Sequence, residues 1–396
     1  MRAGQLTPAP RLSTSSGRRD NLLALLHVLR QADALTRTEL ARLTGLAVPT
    51  VHRLLAALLD SGLVVEDQAS RSTGGLGRPA SLYWFNPSVA SVAGIDVGNE
   101  TTRVAVASAN GTIIGSATLP TPQLAANLAD GIVGLLSSVT ARLPKSAGAV
   151  VGVGAGISAA VDPVSGRVMR APIHHAWDGL PLRAMLEDRL SCPVISEQDD
   201  HLSALAELSD RGTVPGASSL VVVNYGRGIG AGVVVDGALI KGAHGRAGRI
   251  ANWPMDARHS GGAGGTIGEH LLPDALSATY QACGGIGRVT DGLTLCQAAR
   301  AGDPVARDLV EYAALGIADL FLRLAVTFDP QNMVMGGGFA GSFDLFGPQI
   351  KLVMAALPDP PVVSPSVIGN EAVLIGGLLA ADPFVDQWLA ERVSAL

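Results

Sequence analysis

Asp96, Asp199 and two glycine-flanked turns are the parts of this 396-residue chain whose types and spacing could do chemistry. Asp96 and Gly98 stand where the stretch AGIDVG turns, and Gly226-Arg227-Gly228 stands in NYGRGIGAG. A bare glycine backbone lets a ligand's phosphates come close to the main chain. The two stretches are about 125 residues apart, and each reads as strand, glycine turn, strand, hairpin turn. Asn110-Gly111 supplies the first hairpin turn, read as a two-residue turn with positive φ angles, and Asp236-Gly237 the second. Such a repeat predicts two lobes built alike, with their glycine turns facing one cleft. Two unrelated hairpins are the plainer alternative. Asp199 follows the short strand Val194-Ile195, in Glu197-Gln198-Asp199-Asp200. Ligands bind at such strand ends in α/β folds. Its carboxylate could take a proton from a hydroxyl, or simply cap the next helix. Gly336-Gly337-Gly338 ends the strand Asn332–Met335 and suits a flat ring lying on backbone.

A second chemistry lies near the N-terminus. Leu22, Leu25, Leu26 and Leu29 share one face of a helix over Asn21–Ala32. Thr36 and Glu39 form a capping box that opens a short helix ending near Leu43. Thr44-Gly45-Leu46 is a tight turn. The next helix, Val48–Asp60, turns Val51, Leu54, Leu55, Leu58 and Leu59 inward, and Gly62 ends it. Leu63-Val64-Val65 starts a strand, and Leu82–Phe85 returns as a second. This order is the plan of a winged helix-turn-helix, whose second helix enters the major groove. A helical hairpin for protein contact is the alternative.

The outward residues of that helix, Val48, Thr50, His52 and Arg53, are the candidate DNA contacts, with Thr38 on the capped helix. Arg53 could bond a guanine edge twice, which discriminates by about 1–3 kcal/mol. Thr50 suits a phosphate or a thymine methyl. Arg71 and Arg78 flank the glycine-rich run at 74–77, which either reaches a minor groove or links two domains.

Charge agrees with a nucleic-acid reader joined to a different body. Residues 1–86 hold ten arginines, no lysine and six acids, so they carry +4 in a chain of net charge −5. The rest is therefore at −9, and the basic head can approach phosphate. Residues 1–19 are polar and read as a disordered arm without a signal core. No run of 18 apolar residues predicts a membrane span. Cys192, Cys283 and Cys296 form no close pair, so neither a disulfide framework nor a CxxC metal site is expected, and the cytoplasm is the default compartment. From Val89 onward the texture is β/α. Helices are expected over Leu128–Leu143, Pro181–Leu190, Ala204–Leu208, Gly292–Ala301 and Pro304–Phe328, with a buried strand at Val150–Ile157.

In this order the motifs resemble the ROK family of repressors, open reading frames and sugar kinases. The resemblance spans about residues 20–380. It runs through the winged helix, Gly77-Arg78-Pro79, AGIDVG, and Val161-Asp162 with Gly166-Arg167-Val168. It continues through Ala171-Pro172, Trp177, EQDDHLSALAE, GRGIGAG and DPQNMVMGGG. It implies an actin-like ATPase fold of two α/β lobes around a cleft. Family members with a winged helix are mostly transcription regulators answering to sugars or sugar phosphates.

Several positions depart from the family's kinases. Glu100 stands where the first phosphate loop has threonine, and Arg227 where the second has threonine between glycines. Asp199 matches the catalytic base, but Gln198 replaces a sugar-binding asparagine. Arg249 and Asn252 replace the glutamate and histidine of Gly-Glu-x-Gly-His, and the zinc motif, aligned with 259–266, has no cysteine. Without thiolates a Cys₃His site does not form. A substitute from His259, Glu269, His270 and Cys283 has no supporting spacing. A carboxylate about 4 Å from a phosphate oxygen is repelled by roughly 4 kcal/mol at an effective dielectric near 20, unless Glu100 turns away or pairs with Arg227.

The resulting expectation has an arm at 1–19, a winged helix-turn-helix at 20–88 and a ROK body at 89–396. The chain is read as a sequence-specific DNA-binding regulator, not an enzyme, whose degenerate body dimerises and senses a metabolite. No cofactor or metal is expected. Gln198, Asp199, Arg227, Arg249, Asn252 and Glu269 are the candidate effector contacts. Asp96, Gly98, Gly226, Gly228, Gly336 and Gly337 are relics of nucleotide loops. Expected partners are an operator with an inverted repeat, further copies of the chain in a dimer or tetramer, and a sugar or a different, anionic metabolite. A working ATP-dependent sugar kinase is the rival.

Overall fold

Three helices begin the chain in the computed structural model, which describes residues 17–67, 81–211, 219–255 and 264–396. They are α1 (Arg18–Gln31), α2 (Arg37–Thr44) and α3 (Val48–Asp60). α1 starts at Arg18, three residues before its expected start and within the span 1–19 expected to be an arm. Asp20 lies in its first turn, where a carboxylate favours the helix N-terminus. Arg18 also donates to the Leu396 carbonyl. The capping box is formed: the Glu39 N–H donates to Thr36 Oγ1, and the Thr36 N–H donates to Glu39 Oε2 at 2.8 Å. Gly45, at φ 73°, ends α2, and α3 leaves at 109° to it, within the usual helix-turn-helix range. Val51, Leu54, Leu55 and Leu58 are buried as their spacing predicts. β1 (Val64–Asp67) and β2 (Leu82–Phe85) pair antiparallel as the wing strands. The segment between them, with Arg71, Arg78 and the Gly-Arg-Pro run, lies outside the described residues.

The first lobe contains β3 (Ser91–Val97), β4 (Thr101–Ser108), β5 (Ile113–Pro120), α4 (Ala125–Thr140), β6 (Val150–Ile157), β7 (Ala160–Val161), β8 (Val168–Arg170), α5 (Leu182–Leu190) and β9 (Val194–Gln198). Next come α6 (Asp199–Arg211), β10 (Leu220–Tyr225), β11 (Ile229–Val235), β12 (Ala238–Leu239), α7 (Ile267–Leu271), α8 (Pro273–Ala282), α9 (Gly292–Arg300), α10 (Pro304–Phe328), β13 (Asn332–Gly336), α11 (Phe343–Met354), β14 (Val362–Pro365) and α12 (Ala372–Val393).

The two large sheets have the same topology. The first runs β5-β4-β3-β6-β9 and the second β12-β11-β10-β13-β14. In each, the first three strands in sequence are antiparallel and the last two are parallel additions. The internal repeat read from the glycine turns is therefore a repeat of whole sheets. Helices α4 and α5 bury one face of the first sheet with Ile95, Val106, Leu128 and Leu186. Helices α7 to α11 bury one face of the second around Phe321, Phe346 and Met335.

Between the sheets, α6 and α12 lie against each other and each sheet's inner face. Glycines make this approach possible. A Cβ on Gly94 or Gly154 would strike α12 backbone, and one on Gly376 would strike the Leu202 backbone of α6. The segment Gly369–Val393 is long and apolar enough by composition to cross a bilayer. Here its apolar side is covered by the first sheet and by α1.

Two turns differ from each other. Asp236 and Gly237 both have positive φ, 51° and 75°, as a two-residue type I′ turn requires. Of Asn110 and Gly111, only the glycine does, at 82°. The Gly111 N–H donates to the Ser108 carbonyl, and Ser108 N–H donates to Thr112. The loop is thus a three-residue turn ending in a left-handed glycine, next to a register shift at Val106/Ala107, and not the expected two-residue turn. Asp96 is not at a turn either. It sits inside β3 and faces Arg103 across the β3–β4 ladder.

Candidate functional site

The head presents one face of α3 to solvent. Val48 is 46% exposed, and His52 and Arg53 are exposed beside it. Thr50 is half-buried, and Thr38 is exposed on the first turn of α2. The opposite face of α3 is fully buried. Val48, Thr50, His52 and Arg53 stand at the end of α3 nearest the turn, where a helix in a major groove meets base edges, while Thr38 lies at the far end of α2.

The head does not hang from a linker. Its leucines, Val92, Ala105 and Ala107 of the first sheet, and Leu374, Leu378, Val385 and Leu389 of α12 form one hydrophobic core. Arg30 pins the seam. Its Nε donates to the Ala109 carbonyl at 2.7 Å, and its other nitrogens reach Asp386 at 2.7 Å and Asp382.

In the cleft, both carboxylates expected to meet a nucleotide or sugar are engaged by the protein. Arg103 donates twice to Asp96 Oδ2, at 3.1 Å from Nε and 2.5 Å from Nη2. The same guanidinium reaches the Asn370 carbonyl and Glu371, at 2.9 Å, just before α12. Burial raises the Asp96 pKa, and Arg103 offsets part of that rise. Asp199 begins α6 and is partly exposed. Burial, then the neighbouring carboxylates Asp200 and Asp96, push it well above the usual carboxylate range, against hydrogen bonds from Ser158 and the Asp200 N–H.

Gln198, expected to face an effector, is fully buried. Its Nε2 donates to Asp200 Oδ2 at 2.9 Å, and Asn224 Nδ2 donates to Oδ1 at 2.9 Å. The longer side chain therefore reaches inward to a neighbouring carboxylate. Beneath it, buried Glu197 accepts from His201 Nδ1 at 2.9 Å and from Lys241. Burial raises the Glu197 pKa, but these two partners outweigh it and hold it below the usual range.

The two glycine turns meet. Glu100, after β3, and Arg227, between β10 and β11, are ion-paired from opposite lobes. The Gly226 N–H closes its own turn on the Gly228 carbonyl at 2.9 Å. Gly337, at φ 76°, lies on the backbone of Tyr225, so this glycine is needed where the chain leaves β13 beside the end of β10. Gly98 lies against the Thr101 carbonyl, and Gly336 against the Asn224 side chain.

The remaining effector candidates do not converge on Asp199. Glu269 is the third residue of α7, where its carboxylate accepts from the Thr266 N–H at 2.7 Å. It lines a cavity of about 550 Å³ with His270, Cys283, Asp308 and Tyr312. Among the described residues no cluster could hold a metal ion, and His259 lies outside them. Arg249 lines a separate cavity, and Asn252 is exposed on the short turn that follows it.

Sequence reasoning missed Arg103, Arg30 and Lys241. Arg103 had a signal: counting outward from the β3–β4 turn sets it directly across from Asp96. Arg30 and Lys241 find partners far along the chain, which spacing does not reveal.

Comparison with known proteins follows this division. A ROK family model matches residues 92–382, and an IclR helix-turn-helix model matches residues 20–68. The chain is similar to a xylose repressor of Caldicellulosiruptor bescii, 25% identical over 357 residues, covering 84% of this chain and 87% of that protein. It is also similar to a glucokinase of Halalkalibacterium halodurans, 28% identical over 318 residues, covering 72% of this chain and 92% of the kinase. The crystal structure of a ROK family transcriptional regulator, a homolog of the E. coli MLC protein, superposes with a TM-score of 0.72 at 20% identity. That match covers 95% of this chain and 98% of the other, and shows a shared fold.

Proposed function

We propose that this chain, which belongs to the ROK family, is a DNA-binding transcriptional regulator whose kinase-like body no longer phosphorylates sugars. One observation carries the reading: the helix-turn-helix shares a hydrophobic core with α12, the helix that also lies between the lobes. DNA contact falls to Arg53, Thr50, His52 and Val48 on α3 and to Thr38 on α2. The body holds two copies together for an inverted repeat, since helix-turn-helix dimers bind paired half-sites about one helical turn apart. The compartment is the cytoplasm, where the operator is.

The cleft is the place for an effector, a sugar or another metabolite, beside Asp199. A transferred phosphoryl group needs Asp96 free for a metal and open glycine loops for phosphates. Arg103 supplies Asp96 with a fixed cation instead. Glu100 and Arg227 put a carboxylate and its partner where phosphates would enter. Both features favour a sensor over a catalyst. The similarity to the glucokinase covers 72% of this chain, and that to the xylose repressor covers 84%, more than the body alone holds.

Selection of bound duplexes from a random DNA library, at near-physiological salt and without added ligand, tests the regulator reading. An enriched inverted repeat is the expected result. Absence of enrichment together with ATP turnover on a hexose would replace the reading with the kinase.

A further inference from the structure

The loop after β12 folds back onto the second sheet and is held at two points. The Ala231 N–H donates to the Gly248 carbonyl at 2.8 Å, and the Ala247 carbonyl faces His201 Nε2 at 3.1 Å. This anchoring sets Arg246 and Arg249 in the lining of a cavity of about 270 Å³. Its walls include Ile240, Trp253, Leu324 and Phe328, and every lining residue belongs to the second lobe. Apart from the Trp253 indole, the two arginines are its only polar side chains among the described residues. Neither guanidinium has an ion-pair or hydrogen-bond partner among the described residues. An arginine is always charged and carries five donors. Two of them at an apolar, aromatic-walled cavity make a forked anion receptor above a hydrophobic floor.

We infer that this cavity binds a small carboxylic acid with an apolar body, an aryl or branched-alkyl carboxylate, with Arg246 and Arg249 on the carboxylate and Trp253 and Phe328 on the body. A sugar fits poorly, because the floor offers its hydroxyls no side-chain partners. The site separates Arg249 from Arg227, which is engaged by Glu100. It does not rest on the regulator reading, since the cavity binds the acid whether or not the head reads DNA.

The test is isothermal titration of the full chain with 3-phenylpropionate, 3-phenylpropanamide and inorganic phosphate. The acid is expected to bind at millimolar concentration or tighter, and the amide and phosphate about tenfold or more weakly. Arg249→Gln and Arg246→Gln, both at surface-reaching positions, are each expected to cost about tenfold in acid affinity with the melting temperature unchanged. No binding of the acid, equal binding of acid and amide, equal binding of acid and phosphate, or unchanged affinity in the double Gln variant would overturn the assignment. DNA selection on the same preparation reports the regulator reading separately.

Discussion

Glu100 and Arg227 are ion-paired to each other from opposite lobes, each on the glycine turn of its own repeat. Both side chains are more than half exposed, 67% and 54%. An exposed pair contributes about 0–1 kcal/mol to stability, so its consequence lies in what it occupies. Glu100→Thr with Arg227→Thr is expected to leave binding of a nonhydrolysable ATP analogue with magnesium undetectable, because Arg103 still holds Asp96. Adding Arg103→Ala is expected to give measurable binding by titration calorimetry. Full binding in the double variant alone would remove Arg103 from the explanation.

Asp199 gives a pH prediction with a definite sign. Its folded pKa is raised by burial and by Asp200 and Asp96, while an unfolded aspartate titrates near 3.9. A raised carboxylate costs stability when ionised, and the cost disappears as pH falls through the folded pKa. Asp199→Asn is therefore expected to raise the melting temperature at pH 8 and to lose that gain toward pH 4. The same gain at both pH values would place the effect elsewhere. Operator binding should survive the substitution.

The backbone contacts of α12 predict contrasting glycine substitutions. Gly376→Ala and Gly154→Ala each drive a methyl into backbone, and overpacking of this kind costs about 1–3 kcal/mol or more. Gly134→Ala, in α4 with open space around its Cβ position, should instead stabilise by up to about 1 kcal/mol through helix propensity. Denaturant melts of the three variants check the order.

Arg30→Ala removes the clamp between α1 and α12. Its partners Asp382 and Asp386 are 42% and 60% exposed and rehydrate when it leaves, so a loss near the low end of about 1–3 kcal/mol is expected in chemical denaturation.

For the head, Arg53→Ala should weaken operator binding and relax preference at one base position, in line with the about 1–3 kcal/mol of a bidentate contact. Binding to selected and singly altered duplexes measures both. Unchanged preference would mean α3 is not the reading helix.

The sequence disclosed much of this architecture because its signals are local. Leucine spacing in α1 and α3, the Thr36–Glu39 box and the paired glycine turns each act within one or two elements. The cleft was less legible because its state depends on partners distant in sequence. Glu100 could be seen to oppose phosphate, yet that Arg227 meets it depends on how two lobes close. Gln198 looked like a substituted sugar contact, and only the fold shows its amide turned onto Asp200. Arg249, aligned with the glutamate of Gly-Glu-x-Gly-His, and Glu269 were expected beside Asp199, while the chain distributes them over separate cavities.

The core that α12 shares with the head makes this protein a poor donor of interchangeable parts. A body cut free after residue 88 would open to water the part of this shared core that the head's leucines now complete, and a grafted foreign head would need matching leucines to close it. Evolution faces the same constraint as the engineer: a change of operator is open to the outer face of α3, whereas exchange of the whole head requires α12 to change with it.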